Sequence, residues 1–201
     1  METWNYKKWK QLCKDNLKLA RDPDTPKDIL MKLSEFRDFD VMEAAAENPN
    51  RPNGVYTYYE KMKLSENSNT PGDILMKLSE DMSSFIRERV VKNPNTPKET
   101  LIKLSEDEDE TVREEVAQNP NTPKEGFIKL IEKENEFAKC FVARNPGTSI
   151  DLLIKLSEDK IAYAREGVAK NPNTPKEIVM KLREDKDQFV REAAIEVFEK
   201  K

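Results

Sequence analysis

The sequence predicts an all-α fold: an α-solenoid of about seven stacked helix–loop–helix repeats, the second of them shortened and irregular. Two observations carry that expectation. The first is a phrase, Asn-Pro-Asn-Thr-Pro, that stands unaltered at Asn93–Pro97, Asn119–Pro123 and Asn171–Pro175, with variants at Asp22–Pro26, Asn48–Pro52, Asn67–Pro71 and Asn145–Ser149. Its starts at 67, 93, 119, 145 and 171 are each 26 apart, as are 22 and 48, and only the step from 48 to 67 departs, at 19. A fixed period of that length marks a repeat array. The second observation is that two short apolar patterns of helical spacing recur inside each period.

The unit 93–118 shows the pattern. Asn93-Pro94-Asn95 reads as a turn, with Pro presetting φ at the second position. The third position carries Asp24, Asn50, Asn69, Asn95, Asn121, Gly147 or Asn173 through the units. These residue types tolerate positive φ, so a left-handed residue is expected there. Thr96-Pro97-Lys98-Glu99 reads as a helix start, with Thr as N-cap, Pro at the first helical position and Glu closing a capping box. Leu101, Ile102 and Leu104 give the first helix its apolar face. After an acidic stretch, Val112 and Val116 with Ala117 mark a second helix, which the next Asn-Pro stops, because the residue before Pro is steered out of the α region. Neither helix can bury its face alone, so neighbouring units must stack.

Taken in order, residues 1–21 form a helix that caps the open end of the array, with Trp4, Tyr6, Trp9, Leu12 and Leu17 among its apolar positions. A basic-aromatic patch of Lys7, Lys8 and Lys10 with Trp4 and Tyr6 is the alternative. The array occupies 22–196 in units 22–47, 48–66, 67–92, 93–118, 119–144, 145–170 and 171–196, and residues 197–201 extend the last helix. Met-Lys-Leu-Ser-Glu occurs at 31–35, 62–66 and 76–80. Since 31–35 and 76–80 lie in first helices, the short unit 48–66 reads as having kept its first helix and lost its second.

The three motifs together (the Asn-Pro-Asn-Thr-Pro turn, a Leu-x-x-Leu-like first helix and an Asp-x-x-Val-Arg-x-x-Val-Ala second helix) resemble the leucine-rich repeat variant family over roughly Asp22 to Glu196. The second helix also resembles HEAT-type repeats. That resemblance implies a right-handed superhelix of alternating α and 3₁₀ or short α helices, and an interaction scaffold without one shared activity. A member of that family carries an iron–sulfur cluster in a separate cysteine-rich segment. This chain has only Cys13 and Cys140, and the property does not transfer.

Composition narrows the function classes. The net charge is −4, with no His. Residues 1–21 carry six Lys/Arg against two acids, whereas 22–47 and 93–118 each carry three against eight. No basic stripe runs through the array, which weighs against nucleic acid as a partner. Without His, a phosphate-binding Gly-rich loop or ligand-like cysteine spacing, the sequence points to a non-enzymatic protein with no cofactor. No stretch is apolar enough to span a membrane, Met1–Arg21 does not read as a signal peptide, and the two distant cysteines suit a cytoplasmic protein. A monomer is expected. The function expected is a protein-binding repeat scaffold; the alternative is a HEAT-like nucleic-acid-binding module.

Three columns recur. Lys32, Lys77, Lys103, Lys129, Lys155 and Lys181 form one column, which Lys63 joins in one register; each of the six has an acid four residues earlier, a pairing that supports an exposed helix, and a basic ladder for an acidic polymer is the rival. Arg87, Arg113, Lys139, Arg165 and Arg191 suggest Asp/Arg bridges between units. Phe85, Phe137, Tyr163 and Phe189, broken by Asp40 and Thr111, read first as packing between units. Phe141 departs from the rule, a large ring where other units carry Ala44, Arg89, Glu115, Gly167 or Ala193. It fills space left by Gly126 or anchors a partner. The candidate partner-binding residues are therefore Phe137, Phe141 and Tyr163, with Phe85 and Cys140.

Overall fold

A computed structural model describes residues 6–36, 38–132 and 136–199, which hold fourteen α-helices and no strand. The chain divides into two compact units, Met1–Leu64 and Ser65–Lys201. Trp4 lies outside the described residues, as do the side chains of Tyr6, Lys7 and Trp9, so the basic-aromatic patch falls there.

In the second unit the first helices are α5 (Gly72–Leu78), α7 (Lys98–Leu104), α9 (Lys124–Glu132), α11 (Ile150–Ser157) and α13 (Lys176–Leu182). The second helices are α6 (Ser84–Lys92), α8 (Glu110–Gln118), α10 (Glu136–Arg144), α12 (Ala162–Lys170) and α14 (Gln188–Glu199). Each first helix packs on the second helix of its own repeat, and the second helices pack in sequence from α6 to α14. This is solenoid stacking, as the periodicity predicts. The first helices are short α-helices. Their core column is Leu75, Leu101, Phe127, Leu153 and Val179, all buried, and the second helices bury Val or Ala at their seventh residue, from Val90 to Ala194. Phe198 folds back so that its ring lies under Lys176 and Arg183 of the preceding hairpin.

The first unit holds α1 (Tyr6–Arg21), α2 (Lys27–Ser34) and α3 (Phe39–Glu47), with α1 and α2 both on α3. Next comes α4 (Tyr58–Glu66), and here the sequence reading is corrected. Like α3, α6, α8, α10 and α12, α4 has nine residues and stops immediately before the turn Asn. Ser65 also stands where Val91, Ala117 and Ala143 stand, as the carbonyl that the Asn 28 residues on engages. The short repeat therefore kept its second helix and lost its first, which the loop at 52–57 replaces. Gly54, at φ 92°, bends that loop through a region only glycine enters easily. Lys63 consequently leaves the lysine column.

The turns explain the Asn. Asn145 Nδ2 donates to Ala117 O at 2.8 Å and Asn119 O at 3.0 Å, while its Oδ1 accepts from Gly147 N. Asn171 and Asn93 repeat the set. So does Asn48 within the first unit, on Ala20 O and Asp22 O. The helix-stopping role of Asn before Pro is as expected, with extended backbone at Asn48, Asn93, Asn119 and Asn171. Two other expectations fail. Gly147 lies outside the left-handed region. At three of the turns the third residue is an Asn whose amide reaches the preceding turn: Asn50 to Thr25 O, Asn95 to Ser68 O, Asn173 to Pro146 O. Nor does Thr cap the helix that follows. Its hydroxyl donates backwards to the carbonyl six residues earlier, Thr122 to Val116 O and Thr174 to Val168 O, and no side-chain cap bond forms at Pro97 or Pro175.

Charged columns knit repeats together. Arg87 pairs with Asp107, Lys139 with Asp159 and Arg165 with Asp185, each twenty residues on, at 2.7–2.8 Å. The residue six earlier contributes its backbone carbonyl, Asp81 O to Arg87 and Asp159 O to Arg165. The Arg165 guanidinium holds the Asp185 carboxyl below its ordinary range against the opposing effect of burial. The lysines bridge too: Lys103 pairs with Glu80, Lys129 with Glu106 and Lys181 with Glu158 in the preceding repeat, in place of the expected partner four residues back.

Two outcomes follow from these contacts. Asn145→Ala strands the buried Ala117 carbonyl, while Asn119 O keeps the Thr122 N–H, and is expected to cost about 1–3 kcal/mol of stability, whereas Asn121→Ala, on the exposed turn residue, should change it by less than about 0.5 kcal/mol; chemical denaturation of both variants checks this. In the first unit, bidentate Arg51 and the Thr57 N–H hold Glu60 at about 2 instead of 4.5. A depressed carboxyl contributes stability above its unfolded value, lost as pH falls through the folded one. The gap in melting temperature between the native chain and Glu60→Gln should therefore be open at neutral pH and close between 4.5 and 2.

Candidate functional site

The second residue of α6, α8, α10 and α12 lies eight positions before a turn Asn, and Phe189 takes the same place in α14. In the second unit these residues are Phe85, Thr111, Phe137, Tyr163 and Phe189. One position further on, Ile86, Val112, Ala138, Ala164 and Val190 point into the core, so the second residue is turned outward. Phe85 is 39% exposed, Phe137 65%, Tyr163 66% and Phe189 66%. Packing between units, the first reading of this column, does not hold. Within the first unit Tyr59 takes the same place on α4 and is 60% exposed. Sequence reasoning missed Tyr59, because it aligned α4 on Met-Lys-Leu-Ser-Glu. Counting back from Asn67 would have found it.

Phe141 and Cys140 are half-buried on a different side of α10. At Phe141's position, the sixth in the helix, neighbours reach back to the preceding second helix: Arg89 pairs with Glu66, Glu115 with Lys92. A Cβ on Gly167 would lie 2.8 Å from Ala143 Cβ, so α12 approaches α10 closely there. Phe141 thus stands at the α8 seam, where charge pairs serve in earlier repeats. It does not fill space left by Gly126, whose absent Cβ would meet Thr122 Cγ2 at 3.0 Å and Ile102 Cα at 3.9 Å. Next to it, fully buried Phe127 stands where the other repeats of this unit carry Leu or Val. Burial pushes the Cys140 thiol up, away from the thiolate form that reacts.

Between α12 and α14 the exposed rings border a groove of about 140 Å³ lined by Ala162, Tyr163, Glu166, Asp187 and Phe189. Glu166 is bridged by Arg144 at 3.1 Å and by Lys170 from its own helix. Asp187 accepts the backbone N–H groups of Phe189 and Val190, starting α14. Among the described residues no group of three His, Cys, Asp or Glu is placed to hold a metal ion, and no helix is long and apolar enough to cross a membrane.

The two kinds of ring should respond differently. Phe141→Ala is expected to lower stability by about 1–2 kcal/mol through lost burial, while Tyr163→Ala stays within about 0.5 kcal/mol. Equal melting shifts in the two variants would contradict the placement.

No protein-family model matches the chain, and no curated protein does. Among solved structures, a leucine-rich repeat variant with a novel repetitive structural motif matches 90% of this chain at 20% identity, with a TM-score of 0.52. The chain spans 64% of the length of that structure. An engineered protein solved by a structural genomics consortium aligns over 98% of this chain and 92% of its own at 16% identity, but a TM-score of 0.27 supports no comparison of fold. The helical repeat stack described above has the fold of a leucine-rich repeat variant.

Proposed function

We propose that the chain is a non-enzymatic, protein-binding repeat scaffold, monomeric and cytoplasmic, that uses the outward position of its second helices. The observation that carries this is the exposure of Phe137, Tyr163 and Phe189 at one repeated helix position, beside Phe85. Large rings in water forgo burial worth roughly 1.5–3 kcal/mol apiece, and such rings are the common anchors of protein interfaces. The helices beneath are fixed by buried ion pairs and the Asn turns, so the rings are presented with little entropy left to lose on binding. Phe85, partly covered, forms the margin of this surface. Phe141 and Cys140 support it from the seam between α8 and α10. The carboxylates lining the groove weigh against a nucleic-acid partner, whose phosphates they would repel.

The test compares proteins retained from a native lysate by the wild-type chain and by the triple variant Phe137→Ser, Tyr163→Ser, Phe189→Ser. Folding should persist by circular dichroism and melting, while retention of specific partners falls at least tenfold. Identical capture by both chains would overturn the reading.

A further inference from the structure

Rings at the outward position come in two settings. Tyr59 and Phe85 are each covered by a cation four residues on: Lys63 Nζ lies 5.3 Å from the Tyr59 centroid, and Arg89 Cζ 4.2 Å from that of Phe85. Four residues beyond Tyr163 and Phe189 stand Gly167 and Ala193, buried and uncharged. The ring face carries the negative part of the quadrupole and attracts a cation. Tyr163 and Phe189 have no such cover from their own helices, and the groove between them is lined by two carboxylates and no cation. The molecule thus shows, on α4 and α6, the group that α12 and α14 lack.

Resting on the scaffold reading, we propose that this groove docks a cationic segment of a partner protein, with one Arg or Lys side chain over Tyr163 and another over Phe189. They supply, from the groove, the kind of cation–ring contact that Lys63 and Arg89 make over Tyr59 and Phe85. Asp187 offers them negative charge at the edge of the groove, while Glu166 is already held by Arg144 and Lys170. Spacing adds a constraint. Packed helices stand roughly 8–10 Å apart, and a polyproline II chain returns to the same face every three residues, about 9 Å on. The segment that fits is extended, with two cationic residues three apart.

The experiment titrates the full chain with a fluorescent, proline-rich peptide carrying two Arg three residues apart. Wild-type protein should bind it. Tyr163→Phe should bind within about twofold, because the ring is kept. Tyr163→Leu with Phe189→Leu keeps apolar area but removes both rings, and should lose roughly five- to thirtyfold. A peptide with Gln for Arg should not compete. Undetectable binding at millimolar peptide, equal binding by the double Leu variant, or equal competition by the Gln peptide would overturn the proposal. So would ring-dependent binding of single-stranded oligouridine tighter than that of the peptide. Proteins retained through the rings but not displaced by the peptide would overturn this proposal and leave the scaffold reading standing. Ring-dependent peptide binding without ring-dependent retention of proteins would support the groove's chemistry and overturn the scaffold reading.

Discussion

The side-chain amide of the turn Asn is the contact on which the stacking depends. A second helix ends with carbonyls that have no partner inside the helix, and stacking buries them. One Asn amide engages two such carbonyls of the repeat before it, while its oxygen accepts the N–H that closes its own turn. Aspartate could not donate, and glutamine would place the amide one methylene further out. The Thr hydroxyl satisfies another carbonyl of the same helix end, Val142 O in the case of Thr148. Polar groups at the Asn48, Asn93, Asn145 and Asn171 turns are thus paired by short side chains held in a Pro-stiffened turn. The period of 26 is the distance over which that pairing recurs.

Charge acts further out. The Arg87–Asp107 and Arg165–Asp185 pairs are almost wholly buried, each with a guanidinium that also donates to a loop carbonyl. Removing one partner of such a pair leaves a buried charge uncompensated, which costs more than the intact pair contributes. The Lys–Glu pairs on the first helices are exposed and weak one by one. Their value is in register: Glu106 meets Lys129 only when the repeats stack in step.

The repeat, its helices and their buried faces were legible because they rest on local spacing. What failed rests on contacts outside each helix, back to the preceding helix or across repeats. Met-Lys-Leu-Ser-Glu ends a first helix at 31–35 and 76–80 but a second helix at 62–66. The pentapeptide is a good helix former in either place, and the Asn67 turn decides which neighbour it meets. Thr96 satisfies every local rule for an N-cap, yet its hydroxyl turns back to Val90 O, adding a second donor to the one the Asn93 N–H supplies. The lysines likewise have an acid four residues earlier and pair across repeats instead. For the candidate site, the aromatic column was visible and its direction was not. An outward position and an inward one are adjacent in a helix, and only the partner on which the helix packs separates them.

The outward column can be read as a comparison the array makes with itself. Seven second helices share one scaffold and differ at the second residue, which is Asp40, Tyr59, Phe85, Thr111, Phe137, Tyr163 or Phe189. The helices headed by Asp40 and Thr111 bury Val41 and Val112, and Ala45 and Val116, as fully as their neighbours bury the equivalent residues. Stacking therefore does not need a ring there. Positions three and seven stay small or aliphatic wherever the second helices stack, and position four supplies the cation that bridges repeats in α6, α10 and α12. Position two is left over by the fold. Where Phe85 occupies it, Arg89 lies over its face; where Phe189 occupies it, the face is turned to solvent beside Asp187.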